Sequence, residues 1–244
     1  MDFGDCSKGL FTWSGLNPKT DPFRILRRIR CNDAGSSLYR DRTLLIQVPE
    51  GKSGTYAIPD GVADIGAWAF FNCVRLSNVL FSGSITNIEG GAFYGCTGLR
   101  SVTIPASVAS IQDFAFEYCD NLGAVYFEGD APVAGGSSIF YQYPVTVYYL
   151  PGTLGWDSVF ANRPTALWLP QLLGPGISSD GTNTQFNFNI QWAAGRPVVV
   201  EATANLSNPV WLPIQTNALT SGSAWVFDSQ WTNYPSRCYR VRPP

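Results

Sequence analysis

Histidine is missing from all 244 residues. Its absence removes every Ser-His-Asp and Cys-His catalytic arrangement, histidine metal ligation, and the side chain that most readily moves protons near neutral pH. Charge is scarce as well. Lys, Arg, Asp and Glu make up 14% of the chain and nearly cancel, to a net −2, so nothing points to a nucleic-acid partner. No apolar run approaches the roughly 20 residues that cross a bilayer as a helix, and no transmembrane segment is expected. No glycine-rich phosphate loop and no calcium loop of alternating acids is present. The six cysteines, Cys6, Cys31, Cys73, Cys96, Cys119 and Cys238, form no CxxC pair, which disfavours a zinc ribbon or a redox centre. A glycosidase needs two carboxylates facing one cleft. Asp64 and Asp113 have only Asn87 and Glu89 between them, with no acidic column. These absences argue against an enzyme, and no catalytic residue, metal ligand or cofactor is assigned.

What the chain has in quantity is turn formers and aromatics: 24 Gly, 17 Pro, 15 Phe, 11 Tyr and 8 Trp. That composition favours short strands between turns. The decisive pattern is a repeat. Cys73, Cys96 and Cys119 are evenly spaced, and the period of 23 residues recurs in Phe70/Phe93/Phe116, Ala69/Ala92/Ala115, Leu76/Leu99/Leu122 and Val79/Val102/Val125. Val62/Ile85/Val108 and Ile65/Ile88/Ile111 follow it too. One such coil cannot bury its apolar side alone, but stacked coils cover one another. Leu122, Val125 and Phe127 are expected to face inward, with Leu99, Val102 and Ile104 as counterparts. The segment around Ala92–Cys96 reads as a short helical turn. Neighbouring coils are expected about 4.8 Å apart, so the three cysteines point the same way and stay reduced as small buried hydrophobes. Pro59 and Pro105 punctuate the turns, while Ser82 replaces the proline of the middle coil.

The stretches IPDGVADIGAWAFFNCVRLSNV, ITNIEGGAFYGCTGLRSVTIP and VASIQDFAFEYCDNLGAVYF resemble the BspA-like leucine-rich repeats, with similar entry and exit segments, over about residues 43–169. The resemblance implies a curved solenoid on secreted or surface-attached proteins of bacteria and some protists, acting in adhesion and partner binding. The expected location is therefore extracellular or at the cell surface. The expected partner is a protein ligand, an extracellular-matrix or a surface component.

The expected fold class is mainly β with short helical turns, an α/β solenoid of 23-residue coils followed by a small β-sandwich-like domain. Residues 1–42 form an unassigned basic segment holding half of the Lys and Arg. Phe23–Arg30 reads as a short amphipathic basic helix, and no signal-peptide stretch is visible. Residues 43–169 form the solenoid and its cap, with Thr153 capping a short helix that places Trp156 and Phe160 on one face. Residues 170–183 read as a turn-rich linker, and 184–244 as the small β domain, where Phe186, Phe188 and Ile190 share a face. That domain resembles a C-terminal β domain of many secreted bacterial proteins. Its tryptophans Trp192, Trp211, Trp225 and Trp231 offer an alternative function, polysaccharide binding, although so small a domain needs most of them for its core. Within the solenoid the outward stripe Leu80, Thr103 and Tyr126 is the expected ligand-binding face.

Overall fold

The structure, a computed structural model, describes residues 30–31, 37–38, 43–141, 143–179 and 184–244. The basic helix expected at Phe23–Arg30 lies outside the described residues except for Arg30, which belongs to a strand. The chain divides into two compact units, Met1–Leu167 and Trp168–Pro244.

The strands of the first unit are β1 (Arg30–Cys31), β2 (Ser37–Leu38), β3 (Leu44–Gln47), β4 (Ser53–Ala57), β5 (Asp64–Ile65), β6 (Arg75–Leu80), β7 (Asn87–Ile88), β8 (Ser101–Ile104), β9 (Ser110–Ile111), β10 (Ala124–Phe127), β11 (Val133–Ala134), β12 (Thr146–Tyr149), β13 (Val159–Phe160) and β14 (Arg163–Leu167). They line two sides of a solenoid. One side is a sheet of very short strands in the order β1-β2-β3-β5-β7-β9-β11, parallel from β3 onward. The other carries the longer strands, as a pair β4-β6 and a sheet β13-β14-β12-β10-β8. The period is written into the register: Asp64 pairs with Asn87, Asn87 with Ser110 and Ser110 with Val133.

Between the two sides lies the expected core. Leu99, Val102 and Ile104 are buried, as are Leu122, Val125 and Phe127. Phe70, Phe93, Phe116 and Phe140 stack in one column, with ring centroids 4.6, 5.0 and 5.6 Å apart in succession. Those separations follow the coil rise, which equals the spacing of paired strands, about 4.8 Å. Cys73, Cys96 and Cys119 are buried and free. Each thiol lies near a carbonyl one coil back, as in Cys96 Sγ to Phe70 O and Cys119 Sγ to Phe93 O, both 3.1 Å. Burial pushes the Cys73 and Cys119 thiols up to about 12.

The expected helical turn is a chain of tight turns instead. Ala92 and Cys96 donate to carbonyls three residues back. Phe93 N–H donates to Ala115 O at 2.8 Å and Gly95 N–H to Glu117 O at 2.9 Å. Sending these donors to the next coil leaves no continuous ladder for a helix. Two columns in these turns adopt left-handed backbone: Trp68, Gly91 and Phe114 at φ 62, 66 and 62°, and Asn72, Gly95 and Tyr118 at 52, 72 and 56°. Only the middle coil fills both with glycine. A Cβ at Gly91 would lie 2.8 Å from the Trp68 indole, which rests over that coil.

The far end closes differently from the expected helix. Val159–Phe160 is a strand that turns through Ala161 and Asn162, both at positive φ, into antiparallel β14. This is the geometry of a two-residue hairpin turn of the I′ kind. Trp156 and Phe160 still meet, at 5.4 Å between centroids. They pack there with Phe127, 4.9 Å from Trp156, and Tyr149, stacked 5.2 Å away and nearly parallel to it.

The second unit contains β15 (Gln171–Ser179), β16 (Thr184–Gln191), β17 (Arg196–Thr203), β18 (Leu212–Leu219), β19 (Ser223–Asp228) and β20 (Cys238–Arg242). They form two antiparallel sheets, β15-β16-β19 and β18-β17-β20. The segment 170–183, expected to be a linker, is therefore largely strand β15. Pairing with β16 fixes it, and a register shift between Leu173 and Gly176 accommodates its Gly-Pro-Gly run. Phe188, Ile190, Val198, Val200, Leu219 and Val226 are buried. The expectation that most tryptophans are core holds only for Trp192. Trp225 is 54% exposed, because β19 turns Val226 and Asp228 inward and its odd positions outward.

Candidate functional site

The strands β8, β10 and β12 lie in strict parallel register, so their outward positions form rows. Thr103 pairs with Tyr126, and Tyr126 with Tyr148. Their inward neighbours Val102, Ile104, Val125 and Phe127 anchor the backbone from below. Thr103 is exposed and Tyr126 half-buried. The Tyr126 and Tyr148 rings stack at 5.1 Å and 19°. Burial, and then Tyr148 itself, push the Tyr126 phenol above its ordinary value. Leu80, 52% exposed, occupies the same repeat column but pairs with Ala57 on β4. The ladder does not continue from β6 to β8. At that break Ser82 replaces proline, and its hydroxyl meets Ser84 Oγ at 2.9 Å. The structure thus brings Thr103 and Tyr126 into one row and sets Leu80 on a separate pair of strands. Tyr148 extends the row and escapes sequence reasoning, because Val147, the partner of Val125, arrives one position earlier than the repeat period places it. The alternation in VTVYYL is the signal that identifies it.

The opposite side carries an open groove of about 780 Å³ lined by Asp64, Glu89 and Asp113 among others. Its carboxylates are engaged in joining coils. Asn87 Nδ2 donates to Asp64 Oδ1 at 2.6 Å and Ser110 Oγ to Asn87 Oδ1 at 2.8 Å. Glu89 Oε2 accepts from Ala67 N–H, and Asp113 Oδ1 from Ser138 N–H, both at 2.9 Å. Among the described residues, no group of three or more Cys, Asp and Glu is placed to hold a metal ion, and no helix is long and apolar enough to cross a membrane.

Stacked coils of about 23 residues, with long strands on one side, short strands on the other and columns of Leu, Phe and Cys between, define a leucine-rich-repeat solenoid. Residues 52–160 match the model of the BspA type leucine rich repeat region in six copies. Three solved structures are similar. A leucine-rich repeat protein from Eubacterium ventriosum shares 20% identity over 57% of this chain and 40% of its own, with a TM-score of 0.46. A leucine rich cell surface protein from Faecalibacterium prausnitzii shares 22% over 54% and 41%, with a TM-score of 0.39. The pneumococcal vaccine antigen PcpA shares 15% over 51% and 43%, with a TM-score of 0.32. The chain spans about two fifths of the length of each. No curated protein shows significant similarity to it.

Proposed function

We propose that the protein is a non-enzymatic adhesion or protein-binding module of the cell exterior, engaging a protein ligand through the outward stripe Leu80, Thr103 and Tyr126. The observation that carries this reading is the outward row on the long-strand side. Its Thr103–Tyr126–Tyr148 positions are set at strand spacing on a backbone pinned by buried neighbours, so little ordering entropy is lost on binding. The match to the BspA type leucine rich repeat region supports the location. The platform is only a few rows wide, so binding gains from several copies on one surface. The test compares the full chain with a Leu80→Ser/Tyr126→Ser variant on immobilised extracellular-matrix proteins such as collagen and laminin. A loss of at least ten-fold in retention is expected. Unchanged retention by the double variant would remove the stripe from the binding face.

A further inference from the structure

The second unit holds a surface that the solenoid reading leaves unused. Strand β16 sends Phe188 and Ile190 into the core, so Gln185, Asn187, Asn189 and Gln191 stand on the other face. They form an unbroken row of carboxamides. Strand β19, paired to β16, places Trp225 opposite Asn189 and Phe227 opposite Asn187. Both rings are more than half exposed, at 54% and 53%, with centroids 6.4 Å apart and planes inclined by 30°. Neither strand presents a charge on this face. The sister sheet does the opposite: there Glu201 is held by Arg240 at 2.6 Å and Arg242 at 3.0 Å.

That combination narrows the ligand by chemistry. Two large apolar rings standing side by side in water are unfavourable unless a partner covers them. A carboxamide both donates and accepts hydrogen bonds and does so without charge. The partner must therefore offer apolar C–H faces for the rings and a dense set of neutral donors and acceptors for the amides. A lipid surface lacks the second, and an anionic polymer would need cations that this face does not carry. A neutral polysaccharide has both, since each pyranose presents an axial C–H face and a rim of hydroxyls. A second copy of this face would set ring against ring but leave the amides to pair across a flat interface, and it is the competing occupant.

We propose that the outer face of β16 and β19, with Trp225 and Phe227 as stacking platforms and Asn187 and Asn189 as hydrogen-bonding partners, binds a neutral polysaccharide chain. This function is independent of the solenoid stripe.

The experiment is co-sedimentation of the full chain with insoluble neutral glycans (cellulose, curdlan, galactomannan and starch), with heparin-agarose as the anionic control. Retention on at least one neutral glycan, insensitive to added salt, is expected. Trp225→Ala and Phe227→Ala should each lower it at least ten-fold, and Asn189→Ala by a smaller factor. Because these side chains lie outside the core, the variants should keep the parent's melting temperature. The Leu80→Ser/Tyr126→Ser variant should bind glycan normally, which separates this site from the stripe. Retention on none of the neutral glycans, retention only on heparin, or retention indifferent to both ring substitutions overturns the proposal. Trp225-dependent dimerisation in sedimentation velocity that excludes glycan would assign the face to a second copy instead.

Discussion

Replacing Phe93 by alanine tests the stacked-coil account at its centre. Phe93 is fully buried and sandwiched, 4.6 Å from Phe70 on one side and 5.0 Å from Phe116 on the other. Truncating a buried phenylalanine costs about 3–5 kcal/mol, and each lost ring pair adds toward the upper end of that range. Phe140 is equally buried but stacks only on Phe116 within the column. In a solenoid, where each coil is stabilised by its two neighbours, the middle substitution breaks two interfaces and the end one breaks one. We expect about 4–5 kcal/mol for Phe93→Ala and about 3 kcal/mol for Phe140→Ala. With a urea m-value of about 2 kcal/mol/M, the midpoint of the solenoid transition falls by about 2 M for the first. Far-UV circular dichroism through a urea titration measures both. A shift below about 0.5 M for Phe93→Ala, or an equal or larger one for Phe140→Ala, would refute the reasoning.

Gly98→Ala should destabilise the solenoid by roughly 1–3 kcal/mol in the same assay, since the new Cβ would meet the backbone oxygens of Leu76 and Val74 at 2.6 and 2.8 Å. Cys73, Cys96 and Cys119 should resist alkylation by iodoacetamide in the native protein at pH 8 and react in urea, as mapped by mass spectrometry. Because burial raises their folded thiols from 9.0, to about 12 for Cys73 and Cys119, the stability they contribute is complete below pH 9 and is lost as pH rises toward 12. Cys96→Ser should shift that alkaline transition. Glu201 is held below its ordinary 4.5 mainly by the Arg240 hydrogen bond, with Arg242 adding to it. Its contribution to the second unit is present above pH 4.5 and lost as acid protonates the folded carboxylate, so Glu201→Gln should lower the melting temperature at pH 7 and flatten its fall below pH 4.5.

The columns were legible because stacking forces the same side chain into the same place in every coil. Phe70, Phe93 and Phe116 declare the core without any reference to a neighbour's backbone. The turns were not legible in that way. Whether Ala92–Cys96 becomes a helix depends on where the N–H groups of Phe93 and Gly95 go, and they go to the next coil. Trp156 and Phe160 sit four residues apart, as a helix face demands, yet a hairpin through Ala161 and Asn162 brings the same two rings together. The Gly-Pro-Gly run concealed β15, whose pairing with β16 spans a shifted register. Of the stripe, the outward direction followed from strand alternation. The separation of Leu80 from Thr103 did not, because a broken ladder leaves no mark on side-chain periodicity, although Ser82 flagged the coil that departs. Trp225 was a candidate among four tryptophans, held back by the expectation that a small domain consumes its aromatics, and Phe227 was not singled out; alternation along SAWVFD, with valine and aspartate inward, turns both outward.

The coil register also acts as a ruler. Asp64, Asn87, Ser110 and Val133 are each paired to the coil before or the coil after, so the unit of change in this architecture is one whole coil. Duplicating one coil, such as residues 78–100, would lengthen the long-strand side by one row, about 4.8 Å. Length here is a digital quantity: the long-strand side grows in fixed increments, by counting turns, without redesigning any one of them.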